Sequence, residues 1–224
     1  MNIRGITNRL KRVNSWLYEA YLTYRYVDEY SVFPAFQTSS SIKLKIIKGK
    51  NAKLKIKGKI LLEAWRNHKG SSVMRIDDFA EVIINNDFII GDGIKIHVTH
   101  GGQLILNGRK NESGSGITAN AVILVNKYLE IGYDCIIAWD TFLTDCDWHT
   151  VGDNYPQKNT ILGEKVWLGV GVKVLKGAQI GSNTIVTSNS VVLSGIYPKQ
   201  VLLSGTPAKI IKENIPDWNR DLKQ

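Results

Sequence analysis

The chain of 224 residues is long enough for one well-buried core or two small ones. Hydrophobic residues make up 43% of it and charged residues 22%, a balance typical of globular proteins. Its two cysteines, Cys135 and Cys146, exclude a disulfide framework, so we expect a protein of the reducing cytoplasm. No apolar run has the length of a secretory signal core or a membrane-spanning helix.

Positive charge is concentrated in the first third of the chain. Residues 1–70 hold 15 Lys and Arg against four Asp and Glu, a net charge of +11, whereas residues 71–224 carry a net charge of −2. A basic segment of this kind attracts anionic partners. Recognition helices and aromatic stacking platforms are not evident, so we expect no nucleic-acid partner.

An amphipathic helix is predicted within residues 1–34. Apolar residues recur there at steps of three and four, namely Ile6, Leu10, Val13, Leu17, Tyr21 and Tyr24. A break follows near Ser31 to Pro34. We interpret the helix as a cap on the end of the next structural unit rather than as a membrane anchor.

Strands are predicted from position 42, where the pattern changes to strict alternation. Ile42, Leu44 and Ile46 alternate with lysines, and a lysine-covered face continues to residue 59. Lysines on a strand face protect a sheet against association with other strands, which is the interpretation we favour. The alternative is attraction of an anionic acceptor, such as a lipid-diphosphate-linked saccharide, through peripheral contact with the inner membrane face.

The most informative feature is an internal repeat of six residues. An aliphatic residue recurs at every sixth position, at Leu162, Leu168, Val174, Ile180, Val186 and Val192. A small or β-branched residue follows four positions later, at Val166, Val172, Ala178, Thr184 and Ser190. Six steps of about 100° do not return to the same helix face, so the repeat excludes an α-helix. It predicts a parallel β-solenoid whose stacked coils bury a column of aliphatic side chains.

The repeat extends upstream and is interrupted once. The same spacing occurs at Val125, Ile131, Ile137 and Leu143. The next aliphatic position, Leu162, comes 19 residues later, one more than three repeats. The intervening segment is polar and rich in turn-forming residues. We therefore predict an external loop at about residues 149–160 that leaves the coil near His149.

Several segments resemble the hexapeptide-repeat acyltransferases, which include galactoside, maltose, capsule and O-antigen O-acetyltransferases. The resemblance is carried by Ile161-Leu-Gly-Glu-Lys-Val-Trp-Leu-Gly169, Val174-Leu-Lys-Gly-Ala-Gln-Ile-Gly181 and Ser204-Gly-Thr-Pro-Ala-Lys209. It implies an all-β fold, a left-handed parallel β-helix over residues 35–210. An N-terminal amphipathic helix in 1–34 and a tail or short helix in 211–224 complete the expected organisation. It also implies a homotrimer with active sites in the clefts between subunits.

The segment Asp145-Cys-Asp-Trp-His149 is similar to the one that carries the family's catalytic histidine. A neutral imidazole can remove the proton of an acceptor hydroxyl as that hydroxyl attacks a thioester. Asp145 or Asp147 would orient the imidazole, although both suit a turn equally well. No further ligand cluster stands nearby, so we expect no metal.

The resemblance further implies that acetyl-CoA, the cosubstrate, lies along the stacked coils. The residues expected to line its site are Trp167, Gly169, Gly171, Gly177 and Ser188, with Lys209 and Lys212 near its phosphates. Backbone N–H groups at Gly169 or the next turn are candidates to bind the oxyanion. Relatives carry a Thr-Lys pair after the last repeat, where this chain has Leu193-Ser194.

The function predicted from these residues is transfer of an acetyl group to a sugar hydroxyl of a surface polysaccharide or its precursor. Two alternatives keep the fold and change the acceptor, namely the amine of a nucleotide-linked sugar or a hydroxyl of an antibiotic. A third alternative is a non-enzymatic scaffold whose basic third binds anionic polymer or lipid.

Overall fold

The computed structural model describes residues 3–39, 42–64 and 71–220, with side chains described from residue 12 onward. The chain forms a left-handed parallel β-helix preceded by one long helix, α1 (Ile3–Tyr26), which confirms the predicted fold class. The solenoid begins at Glu29, a few residues earlier than the predicted boundary at 35. Within the described residues, no helix is long and apolar enough to cross a membrane.

Three sheets, found within the described ranges, form the faces of the solenoid. Sheet A contains β1 (Glu29–Tyr30), β4 (Lys53–Ile56), β7 (Glu81–Asn85), β10 (Gln103–Asn107), β13 (Tyr128–Ile131), β16 (Thr160–Leu162), β19 (Ala178–Ile180) and β22 (Gly195–Tyr197). Sheet B contains β2 (Phe36–Thr38), β5 (Ile60–Leu62), β8 (Phe88–Asp92), β11 (Gly116–Ala119), β14 (Ile136–Ile137), β17 (Trp167–Leu168), β20 (Ile185–Val186), β23 (Leu202–Gly205) and β24 (Ala208–Lys212). Sheet C contains β3 (Leu44–Lys48), β6 (Ser72–Ile76), β9 (Lys95–Val98), β12 (Val122–Val125), β15 (Phe142–Thr144), β18 (Lys173–Val174) and β21 (Val191–Val192).

Each coil visits the sheets in the order A, B, C, so the solenoid has three edges where the chain turns. We name them the AB, BC and CA edges after the sheets that they join. Each strand pairs in parallel with the strand one coil away, and only β23 and β24 pair antiparallel among the described strands. In the last coils the partner lies 18 residues away, as in the pairs Leu162–Ile180 and Leu168–Val186. Residues that are 18 positions apart therefore stack on the same face or edge.

The six-residue repeat marks the core, as predicted. All ten aliphatic positions of the repeat are at most 2% exposed. The small residues four positions later are buried as well, and lie where the coil turns between sheets. Two inward positions per repeat thus fill the narrow interior, and the outward positions between them carry the polar residues.

Helix α1 covers the first coil through polar as well as apolar contacts. Leu22 is buried, and the Tyr18 hydroxyl accepts a hydrogen bond from the backbone N–H of Leu44 at 2.9 Å. The Glu19 carboxylate accepts the N–H of Thr38 at 2.7 Å, and the Thr23 hydroxyl accepts the N–H of Ala35 at 2.9 Å. These bonds satisfy backbone groups of β2, β3 and the residue before β2, at the end of the solenoid.

The apolar stripe predicted for this helix lies on its other side. Val13, Leu17, Tyr21 and Tyr24 are all exposed by half or more. Ile6 and Leu10 lie outside the residues whose side chains are described. The stripe was wrong as a guide to packing because the first coil presents unpaired backbone groups, which Tyr18, Glu19 and Thr23 can bind and aliphatic side chains cannot.

The short C-terminal helix is a second correction. No helix occurs in the described part of residues 211–224, and β24 instead runs antiparallel along β23. Strand β23 is the last parallel strand of sheet B, so its outer backbone groups need a partner. The returning strand supplies that partner, with Lys209 paired to Ser204.

Truncation of one inward side chain should destabilise the whole solenoid. We expect Leu168→Ala, at a fully buried position, to lower the free energy of unfolding by about 2–5 kcal/mol because it leaves a cavity between stacked coils. The exposed Lys173→Ala, one strand later, is the matched control and should change it by less than about 0.5 kcal/mol. Denaturant unfolding followed by circular dichroism measures both, and equal midpoints would contradict the predicted core.

Candidate functional site

An external loop leaves the solenoid on the CA edge, between β15 and β16. At its start, the Asp145 side chain is fully buried. Its carboxylate accepts the backbone N–H groups of Asn126, Lys127 and Tyr128 at 2.8, 2.7 and 2.6 Å. The carboxylate therefore closes the turn of the preceding coil at the point where the loop interrupts regular stacking.

The loop itself is a narrow hairpin with a fixed base. Cys146 forms an antiparallel bridge with Gln157, and the Asp147 N–H donates to the Pro156 carbonyl at 2.9 Å. Lys176 of the next coil forms an ion pair with the Asp147 carboxylate and donates to the Tyr155 carbonyl at 3.2 Å. Both strands of the hairpin are thus attached to one lysine of the solenoid.

His149 projects from this hairpin into solvent. It follows Trp148, which has a positive φ of 65° and whose N–H donates to the Cys146 sulfur at 3.2 Å. The imidazole is exposed, and in the described part of the chain it has no hydrogen-bond partner. It is therefore available to a group outside this chain.

Neither aspartate orients the imidazole within one chain. The Asp145 carboxylate is fully engaged by three backbone N–H groups, which corrects the prediction that it pairs with His149. The Asp147 side chain is half exposed and paired with Lys176. Both carboxylates hold the loop in place, which is the turn alternative considered from the sequence.

Sequence reasoning missed a column of residues that supports the loop. Positions 158, 176 and 194 are 18 residues apart and stack on the CA edge. The Lys158 ammonium donates to the Ser194 hydroxyl at 3.0 Å. A cation therefore lies beside Leu193-Ser194, the position where relatives carry a Thr-Lys pair. The 18-residue length of a coil is the signal that could have brought these positions together.

The residues predicted to contact acetyl-CoA do not share one edge. Gly169, Gly171 and Ser188 lie on the BC edge, and Trp167 is on the outer face of sheet B. Gly177 lies on the CA edge, next to Lys158. Exposed Lys209 and Lys212 are on β24, at the end of the solenoid opposite α1.

Stacking explains the two glycines of the BC edge. A Cβ atom at Gly169 would lie 2.7 Å from the backbone nitrogen of Ser188 in the next coil. Gly171 has a φ of +71°, which strongly favours glycine. Their N–H groups donate to the carbonyls of Val186 and Trp139, so neither is free to bind an oxyanion, contrary to the prediction for Gly169.

Trp167 is packed on its outer side by the C-terminal segment. Its ring centroid lies 5.9 Å from that of Trp218, whose indole N–H donates to the Lys165 carbonyl at 3.0 Å. The Trp167 side chain keeps 40% of its surface exposed. It can therefore line a ligand site only with its remaining open surface.

The two cysteines are unsuited to nucleophilic chemistry. Cys135 is a fully buried core residue, as predicted, and burial raises the pKa of its thiol to about 12. Cys146 is 4% exposed and lies at the base of the loop. Among the described residues, no three His, Cys, Asp or Glu side chains are placed to hold a metal ion.

A hollow of about 420 Å³ lies on the CA edge beside the base of the loop. Gln103, Lys127, Tyr128, Asn159 and the exposed ring of Phe79 line it. Lys127 and Tyr128 are the residues whose N–H groups bind Asp145. Glu81 also lines the hollow and accepts a hydrogen bond from the Gln103 amide at 2.7 Å, while the Tyr128 hydroxyl donates to Glu130 at 2.5 Å. The hollow thus offers amide, phenol, carboxylate, ammonium and aromatic groups next to the segment that carries His149.

Comparisons with known proteins agree with the fold. Residues 159–194 match the family described as bacterial transferase hexapeptide (six repeats). The chain is 35% identical over 97 residues to a putative lipopolysaccharide biosynthesis O-acetyl transferase, WbbJ, of Escherichia coli K12, a match covering 37% of this chain and 49% of that protein. It is 32% identical over 139 residues to a polysialic acid O-acetyltransferase of Escherichia coli O1:K1, covering 59% of this chain and 43% of the relative. The chain thus spans about half or less of these relatives' length.

A solved structure resembles nearly the whole chain. The crystal structure of the polySia-specific acetyltransferase NeuO superposes with a TM-score of 0.51 at 25% sequence identity. The match covers 86% of each chain, so the likeness includes coils upstream of the segment matched by the family.

Loss of the Asp145 carboxylate should destabilise the protein more than loss of its neighbour. Asp145→Ala leaves three backbone N–H groups without their acceptor, and we expect it to cost about 3 kcal/mol of unfolding free energy. Asp147→Ala removes a half-exposed ion pair and should cost about 1 kcal/mol or less. Denaturant unfolding of both variants tests the assignment, and a larger cost at Asp147 would refute it.

Proposed function

We propose that this chain, a hexapeptide-repeat protein by its fold and by its match over residues 159–194, is an acetyl-CoA-dependent O-acetyltransferase acting on a sugar hydroxyl. The observation that carries the proposal is the exposed imidazole of His149 on a hairpin anchored to the CA edge. Relatives named as O-acetyltransferases of lipopolysaccharide and polysialic acid support a surface polysaccharide, or its precursor, as the acceptor.

In the proposed reaction, His149 acts as a general base. Its neutral imidazole takes the proton of the acceptor hydroxyl as the oxygen attacks the thioester carbonyl carbon. Collapse of the tetrahedral intermediate breaks the C–S bond, and the coenzyme A thiolate receives the proton from the imidazolium. The products are an acetyl ester and free coenzyme A, and no covalent enzyme intermediate is required.

The separation of the candidate residues supports a homotrimer. His149 is on the CA edge, whereas Gly169, Gly171 and Ser188 are on the BC edge of the same chain. A site that uses both edges must combine two subunits, and three copies related by a threefold axis give three identical clefts. A neighbouring subunit could then also supply the group that orients His149.

The hollow beside the loop base is the place where we propose that the saccharide binds. Sugar hydroxyls need several hydrogen-bonding groups, which Gln103, Tyr128 and Asn159 provide, and a ring face, which Phe79 provides. We place the reaction in the cytoplasm, where acetyl-CoA is available, at the inner face of the membrane.

Replacement of His149 should abolish transfer without affecting the donor. We expect His149→Ala to lower kcat by about 10²–10⁴-fold because the acceptor proton has no base. His97→Ala is the matched control, since His97 is a partly exposed histidine paired with Asp77 at 2.8 Å on sheet C, and should keep wild-type rates. The assay measures thiol release from acetyl-CoA with polysialic acid, lipopolysaccharide and galactoside acceptors.

The same assay distinguishes the alternatives. Unchanged transfer by His149→Ala would remove the proposed mechanism. A product that survives mild base is an amide and would indicate an amine acceptor, whereas an ester is lost. Absence of transfer to every acceptor, together with absence of coenzyme A binding, would favour the scaffold alternative.

Donor binding can be tested before the acceptor is known. We expect acetyl-CoA and coenzyme A at a hundred times the dissociation constant to stabilise the folded protein by about 2.7 kcal/mol. Thermal unfolding with acetyl-CoA, coenzyme A and a longer acyl-CoA measures the shift and compares acyl lengths. An unchanged melting temperature at millimolar ligand would contradict the assignment of acetyl-CoA as the donor. The Leu193-Ser194 pair, which stands where relatives carry a Thr-Lys pair, would then be the first suspect.

A further inference from the structure

The outer face of α1 is an apolar surface without a partner in the described part of the chain. Val13, Leu17 and Tyr24 follow one another at steps of four and seven, so they form one stripe along the helix. The stripe is exposed, with 55% of Leu17 and 87% of Tyr24 accessible to solvent. Trp16 and Tyr21, also about half exposed, flank it on either side. One face of the helix therefore packs on the first coil, and the opposite, apolar face is exposed.

The apolar surface continues beyond the helix. Tyr30, Val32 and Phe33 are exposed in the segment that follows α1. The Phe33 ring contacts Trp16 edge-on, with ring centroids 6.5 Å apart, and the Tyr30 ring at 5.8 Å. Eight large apolar side chains thus form one outer surface, which we call the α1 outer face. An exposed apolar patch of this extent marks an interaction site.

Basic side chains border this face, and the nearby acidic ones are neutralised. Exposed Arg25 lies on one side of the stripe, and exposed Arg12 lies on the other side, where it lines a hollow between α1 and β2 together with Glu19. Glu19 is on the coil side, 8% exposed, and bound to the backbone of Thr38. At the end of the helix, Asp28 is paired with Lys48 at 2.5 Å and Glu29 with Lys55 at 3.1 Å. The face therefore presents positive charge around an apolar centre.

We propose that the α1 outer face docks the protein on an anionic lipid bilayer. An apolar stripe lined by Trp and Tyr and bordered by Arg is suited to lie in the plane of the interface, with aromatic rings at headgroup level. The aliphatic centre then enters the acyl boundary and the arginines meet lipid phosphates. The proposal does not depend on the acetyltransferase activity.

A second copy of the chain is a less suitable occupant. A twofold contact through this face would bring the Arg12 and Arg25 borders of both copies together, and like charges facing each other oppose association. An anionic bilayer satisfies the apolar and the charged parts of the face at once.

Vesicle co-sedimentation tests the proposal with the full chain. Wild-type protein should bind vesicles of phosphatidylcholine with phosphatidylglycerol, bind pure phosphatidylcholine more weakly, and lose affinity as salt is raised. We expect Leu17→Asp with Tyr24→Asp to weaken binding at least about tenfold. Arg12→Gln with Arg25→Gln should weaken binding about fivefold per arginine, on anionic vesicles only.

The control is Ile211→Asp, which places a carboxylate on an equally exposed apolar residue at the opposite end of the solenoid and should leave vesicle binding unchanged. Failure of the wild type to bind anionic vesicles, or equal binding by the Leu17 and Tyr24 double variant, would overturn the proposal. A third contradicting result combines two measurements. If the wild type does not bind vesicles and light scattering shows a smaller oligomer for the double variant than for the wild type, a second copy of the chain covers the face. The arginine variant leaves the apolar stripe intact, so it keeps the test valid if the double aspartate variant misfolds.

Discussion

Parallel hydrogen bonding between coils is the constraint on which this molecule depends. Each strand is only two to five residues long and is ordered by the strand above and the strand below it. A ladder of this kind has two open ends, and it tolerates an inserted segment only at an edge where the chain turns. Helix α1 and strand β24 occupy the ends, and the loop with His149 occupies an edge. The features to which we assign proposed functions thus lie where the ladder stops or is interrupted.

The loop shows how the ladder accommodates an inserted segment. The Asp145 carboxylate accepts the backbone N–H groups of residues 126–128, in the turn of the preceding coil, at the point where the loop begins. The hairpin closes on itself at Cys146 and Gln157, and the Lys158 N–H then donates to the Asp145 carbonyl at 2.9 Å, which restores the coil. The anchored base thus holds an exposed imidazole outside the solenoid without disturbing the core.

The sequence predicted whatever depends on local periodicity and missed what depends on stacking partners. The six-residue repeat identified ten inward aliphatic positions between residues 125 and 192 because inward direction is set by spacing alone. The packing face of α1 could not be predicted in this way, since apolar residues lie on both sides and the first coil selects Tyr18, Glu19 and Thr23 for their polar groups. The role of Asp145 was hidden because its partners lie one coil earlier. The pairing of β24 was hidden because it depends on an unpaired edge.

The same geometry divides the proposed tasks between parts of the chain. Coil stacking keeps His149 and the BC edge apart, so catalysis that uses both must be shared between subunits, whereas the α1 outer face is complete in one chain. Membrane docking and acetyl transfer can therefore fail separately, which a face shared with the active site would not allow. In a trimer, three outer faces at the same end of a threefold assembly would point to one side. Three weak bilayer contacts on one rigid body bind far more tightly than one, because the second and third contacts form at high effective concentration.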